Sequence, residues 1–424
     1  FGRTGTVDWQ TSIKTAASFT AVNGEGYFVD TSSNAITVNL PAGTAGSIVA
    51  FRDYASNFDT NSLTIVANGS QKIENSTENF NVIGENESLT LVYADDTKGW
   101  LVVNDGNKDA GASTAFISAT GGTITTVCTN FKVHTFTGPG TFSVTQGAGP
   151  VAVVDYLVVA GGGGAGGGEG TGAGGGGGYR ESSGTSTGCY SVSPLGSGVA
   201  ALAIQSGCYA VTVGGGGSGH PESSPQQGAS GTASTFRTIT SAGGGGGGGG
   251  GGASITNGAG LNGGSGGGGG GRAGPAPGGT RPGGTGNTPP VSPAQGTNGG
   301  PSTTSAASPS VDAGGGGGGA TAAGNAGSEN GPGGSGGAGA TSSINGTPTA
   351  RAGGGGGGSQ LGPAGLGGSG GGGNGGNQSP VSPPQAGAGT AGTANTGGGA
   401  GGSGGGGDGA NGGGGIVILR YKFQ

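Results

Sequence analysis

The chain has 424 residues, of which 120 are glycine, with hydrophobic residues at 30% and charged residues at only 8%. Globular domains carry more of both, and disordered chains are usually rich in charge, so this composition describes a neutral, glycine-dominated polymer. A net charge of −6 and an isoelectric point near 4.8 argue against nucleic acid as a partner, and no apolar run approaches the roughly 18 residues that insert in a membrane.

Residues 1–105 read as an ordinary all-β module with several short antiparallel strands. Ile36, Val38 and Leu40 alternate with Thr37 and Asn39, the period of a half-buried strand. Short apolar runs follow at 47–51, 63–66, 88–93 and 100–103, and the polar stretch from Asp95 to Gly99 suits a hairpin turn between the last two. Residues 106–129 are small and polar and read as a linker. In the scaffold 130–160, Phe131, Val133 and Thr135 alternate with Lys132 and His134, a Gly138-Pro139-Gly140 turn follows, and Val151 to Val159 is the most apolar strand of the chain. Glycine tracts broken by varied inserts then occupy 161–415. Ala160, Ala242, Ala313 and Ala352 each precede a glycine run, and Pro290-Val291-Ser292-Pro293 is echoed by Pro380-Val381-Ser382-Pro383, which argues for repeated units. The segment 416–424 opens with Ile416-Val417-Ile418-Leu419, a β-strand.

Three readings compete for the tracts. A flexible linker is the default, because glycine loses more entropy on ordering than any other residue. Collagen fails, since glycine does not fall at strictly every third position. A bundle of polyglycine II helices requires a fully paired backbone lattice and a scaffold that fixes its ends. The apolar strands at 156–159 and 416–419 supply that scaffold if they pair and close the module. The fold expected is therefore all-β plus polyglycine II, an antiparallel β module followed by a β-closed bundle. The long inserts at 179–213, 272–313 and 377–397 would present side chains from a rigid platform.

The run Asp155-Tyr156-Leu157-Val158-Val159-Ala160 before Gly161-Gly162-Gly163-Gly164, and Gly412-Gly413-Gly414-Gly415-Ile416-Val417-Ile418-Leu419-Arg420-Tyr421 at the end, resemble the boundaries of the glycine-rich domain of phage tail proteins. The segment from Thr135 to Val144 is similar to the strand pair preceding it there. The stretches from Arg3 to Gln10 and from Gly24 to Asp30 resemble a module in virion structural proteins of marine cyanophages. Tract lengths and the Pro-rich inserts are less regular here than in that family. The resemblance implies a tail fibre or fibre tip that attaches to the host through loops on a glycine framework. It also implies a homotrimer, other virion proteins at the N-terminal side, a glycan or protein receptor, and an exposed position on the virion. The rival reading is a purely structural virion appendage, neck or capsid protein, or an extracellular filament.

Chemistry for turnover is missing from the sequence. No tract ends in the Lys-Ser or Lys-Thr of a phosphate-binding loop. The only histidines, His134 and His220, stand apart, and Asp95 with Asp96 reads as a turn. No enzyme and no cofactor are expected. Cys128, Cys189 and Cys208 lack metal-ligand spacing. A bridge between Cys189 and Cys208 and free thiols both remain open. The binding candidates are Tyr179, Arg180, Glu181, Tyr190, Tyr209, Arg272 and Arg281, aromatic or hydrogen-bonding groups in an otherwise bland region. The opposing reading gives the tyrosines a sealing role at the edge of the glycine module. The absence of methionine and a start at Phe1 read as a processed or truncated N-terminus.

Overall fold

A computed structural model describes residues 7–105, 111–112, 115–184, 188, 190–196, 198–251, 255–271, 280–302, 313–378, 387–405 and 407–424. The chain divides into two compact units. The first holds β1 (Asp8–Lys14), β2 (Ser18–Thr20), β3 (Glu25–Val29), β4 (Ile36–Asn39), β5 (Ile48–Asp53), β6 (Leu63–Val66), β7 (Phe80–Val82), β8 (Ser88–Asp95), β9 (Gly99–Asp105) and β10 (Gly111–Ala112). They form two sheets, β1-β3-β5-β8-β9 and β10-β7-β6-β4-β2. The residues that alternate inward, including Ile36, Val38, Phe51, Leu63, Ile65, Leu91 and Trp100, build one core between them.

The unit is all-β, but the antiparallel expectation needs correction for its first half. β1, β3 and β5 pair in parallel, as do β2, β4 and β6. The chain steps between the two sheets with each strand and so climbs as a coil. Period-2 alternation fixes which side chains face inward and says nothing about strand direction. The hairpin expected at 95–99 does form: β8 and β9 are antiparallel. Asp95 Oδ1 accepts from the Thr97 and Lys98 amides at 2.8 and 2.7 Å, and Gly99 turns the chain at φ +78°.

The second unit opens within the stretch read as a linker. That stretch holds β10, β11 (Ala115–Thr120) and β12 (Thr123–Val127), the last a hairpin partner of β13 (Phe131–Phe136). Small polar residues conceal these strands because β12 lies at a sheet edge, with Ile124 43% exposed. Next come β14 (Gly140–Ala148), β15 (Val153–Val159), β16 (Tyr179–Glu181), β17 (Leu202–Ala203), β18 (Gly207–Thr212), β19 (Ser234–Phe236), β20 (Ile239–Ser241), β21 (Ala340–Ser342), β22 (Thr349–Arg351) and β23 (Ile416–Lys422). The closing strand β23 lies between β13 and β15, antiparallel to both, with Val159 opposite Ile416 and Asp155 opposite Arg420.

Both faces of this sheet are covered, which is why β15 and β23 read as nearly continuous apolar runs. Leu157, Val159, Ile416 and Ile418 pack against Ala320, Ala340, Ile344 and Ala352. On the other face Phe142 of β14 meets His134, Tyr421 and Phe236 at ring separations of 5.0, 6.0 and 6.1 Å.

His134 is fully buried, with Nδ1 2.7 Å from the Gly121 carbonyl and Nε2 3.0 Å from the Tyr421 hydroxyl. Nδ1 donates to the carbonyl, so Nε2 accepts from Tyr421 and the ring is held neutral. Burial pushes its pKa below the ordinary 6.5, and Lys132 adds to the effect. The unfolded chain therefore takes up the proton first. This stabilisation is complete above pH 6.5 and is lost as pH falls below it. Relative to the wild type, His134→Gln is expected to flatten the decline in melting temperature between about pH 7 and 5. Thermal unfolding across that range checks this, and equal slopes would contradict it.

Beyond β15 the backbone enters a lattice with a three-residue repeat. In segment 171–178 the amides of Thr171, Gly174 and Gly177 donate to Ser403, Ala400 and Gly397. Those of Gly172, Gly175 and Gly178 donate to Gly248, Gly245 and Ala242, and those of Ala173 and Gly176 to Gly315 and Gly318. Its carbonyls accept in the same rhythm: from Gly166, Gly163 and Ala160, from Gly268 and Ser265, and from Gly358 and Gly355. One segment thus has six neighbours: 160–166, 242–248, 265–268, 315–318, 355–358 and 397–403. Every third residue facing the same neighbour means three residues per turn. Glycine-rich segments such as 161–167, 172–178 and 353–358 fill this interior, where backbones touch on all sides and every residue of 171–178 is buried.

The outer segments admit side chains, as at Ala388, Thr390, Ala391 and Thr393, all exposed. Segments 281–287, 296–302 and 387–393 therefore belong to the lattice although they were read as insert. Gly284 donates to Gly267, Gly299 to Gly284 and Gly392 to Asn411. Ser234 of β19 and Ser241 of β20 tie those strands to β15, their hydroxyls donating to the Val159 and Val158 carbonyls at 2.8 and 2.7 Å.

Candidate binding surface

Because lattice segments run back and forth, their connections gather at two ends. One end abuts the β15–β23 sheet. The far end collects the connections at 168–170, 220–226, 328–332, 360–362 and 407–409. The candidate residues divide between these ends.

Tyr179 and Glu181 lie at the sheet end, each 1% exposed. The Tyr179 hydroxyl donates to Glu181 Oε2 at 3.0 Å, and the same oxygen accepts from the Ser193 amide at 3.0 Å. Burial raises both their pKa values, that of Tyr179 well above its ordinary value. Tyr190 is partly buried and faces the Arg420 guanidinium at 4.9 Å, while Phe131 faces it at 4.6 Å. Arg281 is at the far end but buried, its guanidinium donating to the Gly271, Gly249 and Gly270 carbonyls at 2.6, 3.3 and 3.4 Å. Tyr179, Glu181 and Arg281 are thus corrected from surface groups to internal ties, since their polar atoms face protein and not solvent. For Tyr179 the sealing role is the one the geometry favours. Arg180 and Tyr209 stay partly exposed at the sheet end, with Arg237 5.4 Å over the Tyr209 ring. Arg272 and Cys189 lie outside the described residues. Cys208 is exposed on β18, its sulfur 3.5 Å from the Ser143 hydroxyl.

The far end presents a different chemistry, which glycine content concealed. Its charged groups among the described residues are Glu169, Glu222, Glu329, Asp408 and the buried Arg281, so the exposed face is acidic. The loop 220–226 is held by its own bonds: the His220 amide donates to Ala165, Gly167 to Gln226, and the Glu222 amide to Asp408 Oδ1, at 3.1, 2.9 and 2.9 Å. Gln360 Nε2 donates to Glu169 Oε2, and the neighbouring Leu361 is 66% exposed. Gly168, Glu169, Glu222, Ser223, Pro225, Gly250 and Gly251 line an open cleft of about 400 Å³. Among the described residues no three His, Cys, Asp or Glu side chains gather as a metal site. The signal available in the sequence was spacing: Glu169, Glu222, Glu329 and Asp408 each fall between two glycine-rich stretches, where the chain must turn.

Residues 135–422 match the model of a glycine-rich domain, over half of the chain, and residues 4–109 match that of the bacteriophage T4 gp9/10-like protein N-terminal domain. No curated protein matches the sequence.

Proposed function

The chain belongs to the glycine-rich domain family and opens with a phage T4 gp9/10-like N-terminal domain, as phage tail-fibre-like structural proteins do; from that premise we propose that it attaches the virion to its host through the far end of the glycine lattice. The lattice is read as a bundle of polyglycine II helices, supported by the three-residue hydrogen-bond repeat and the six-neighbour packing of 171–178. The observation that carries the attachment reading is the sorting of connections. The sheet end buries Tyr156, Tyr179, Tyr421, Arg351 and Arg420, although Arg180 and Tyr209 stay partly exposed there, whereas the far end exposes Leu361, Glu329 and an open cleft on a rigid base. Binding groups on loops held by a stiff framework lose little entropy on engagement. The role is binding without turnover, in a homotrimer whose N-terminal unit meets other virion proteins on an exposed appendage.

Replacing 220–226 and 360–362 by Gly-Ser connections is expected to lower adsorption of assembled virions at least tenfold, about 1.4 kcal/mol, with particle yield unchanged. Unchanged adsorption would leave a purely structural appendage as the better account, and so would loss of assembly.

A further inference from the structure

Resting on that attachment reading, we propose that the far-end cleft is a subsite for an uncharged, hydroxyl-rich glycan. Its volume of about 400 Å³ falls within the range of roughly 300–1,000 Å³ typical of small-ligand sites. The lining supplies what a sugar needs. The carboxylates of Glu169 and Glu222 are acceptors only and pair with hydroxyl donors in charge-assisted hydrogen bonds. Ser223 donates and accepts, and the Pro225 ring offers an apolar patch to a sugar C–H face. Gly168 and Gly251 turn the backbone at φ +96° and +56°, which keeps the floor free of side chains. At Gly168 a Cβ would stand 2.9 Å from the Gly250 carbonyl and 3.2 Å from Pro225 Cβ, narrowing the cleft from below. The walls are set in advance, because Gln360 holds Glu169 and Asp408 holds the Glu222 amide.

Charge selects among ligands. Glu169 and Glu222 face the cleft and Asp408 and Glu329 lie on the same end, while the guanidinium of Arg281 is spent on lattice carbonyls. Sulfated, sialylated or phosphate-bearing polymers meet like charge here. A protein partner would need a broad patch with buried aromatic or aliphatic anchors, and a lining of glycine, carboxylate, serine and proline provides none.

The test uses the full chain on an array of immobilised neutral, sulfated and sialylated oligosaccharides, alongside adhesion of the same protein to cells of the strain its virion infects. The wild type is expected to bind neutral glycans alone. The double variant Glu169→Gln/Glu222→Gln is expected to bind them at least tenfold more weakly, with an unchanged melting temperature. Wild-type binding to sulfated or sialylated glycans as strong as to neutral ones would overturn the proposal, as would neutral-glycan binding that the variant leaves intact. Adhesion to cells without binding to any glycan would overturn the subsite and leave attachment standing. Neutral-glycan binding without adhesion would support the subsite and overturn attachment.

Discussion

Gly174→Ala is expected to lower the stability of the glycine unit by about 3 kcal/mol or more, whereas Gly215→Ala changes it little. A Cβ on Gly174 would stand 1.9 Å from the Gly163 carbonyl oxygen and 2.5 Å from its carbon. Both are backbone atoms in an adjacent segment that is itself bonded on several sides, so neither can swing away as a side-chain tip could. The six-neighbour packing leaves no direction for the segment to shift without breaking the bonds of Gly174 to Ala400 and of Gly355 to Gly174. Gly215 lies in an outer segment, where the nearest atom to a Cβ is Thr232 Oγ1 at 4.0 Å. Alanine there also restricts the unfolded chain, a gain of up to about 1 kcal/mol where the backbone conformation suits it. Chemical denaturation of both variants with the wild type measures the contrast. Equal loss at the two positions would mean that the lattice is not packed as described.

Arg420→Met is expected to destabilise the same unit by about 3–5 kcal/mol, and Asp155→Asn/Arg420→Met to recover part of that loss. Arg420 and Asp155 are fully buried and stand opposite one another in β23 and β15. The guanidinium donates to the Ile344 and Gly188 carbonyls at 3.2 and 3.1 Å and lies between Phe131 and Tyr190. It thereby pins two connections of the sheet end onto the closing strand. Methionine keeps much of the volume but removes the positive charge opposite the buried Asp155 carboxylate and leaves it the Ser182 hydroxyl, which donates to Oδ1 at 2.7 Å, a heavier loss than the removal of both charges. Protease sensitivity near 188–190 and 343–348 should rise in the single variant in step with the stability measured by denaturation. A double variant no more stable than the single one would show that Asp155 is satisfied without Arg420.

Much of the architecture was legible because it depends on local composition. Apolar Val151 to Val159 and Ile416 to Leu419 marked the two strands that close the module, and they pair in register. Continuous glycine marked many of the segments that other backbones approach most closely, 174–178 and 353–358 among them. The candidate site was much less legible. Tyr179, Glu181 and Arg281 carry the side chains of a recognition surface, yet they are buried, because an aromatic or charged group serves as well for tying loops to a sheet as for meeting a partner. The far-end carboxylates stand singly in glycine-rich sequence, so no local pattern groups them.

The sequence by itself determined that the chain is β-structured and that a glycine-rich region, flanked by two apolar strands, follows an N-terminal β module. Those features follow from side-chain period and from the absence of Cβ atoms, both properties of single residues and their neighbours. Only the tertiary structure decided that β1 to β6 pair in parallel, that 281–287, 296–302 and 387–393 are lattice, and which connections share an end. Strand direction and segment partners depend on hydrogen bonds between backbones distant in the chain, and backbone donors and acceptors are the same at every residue, so no residue type records them.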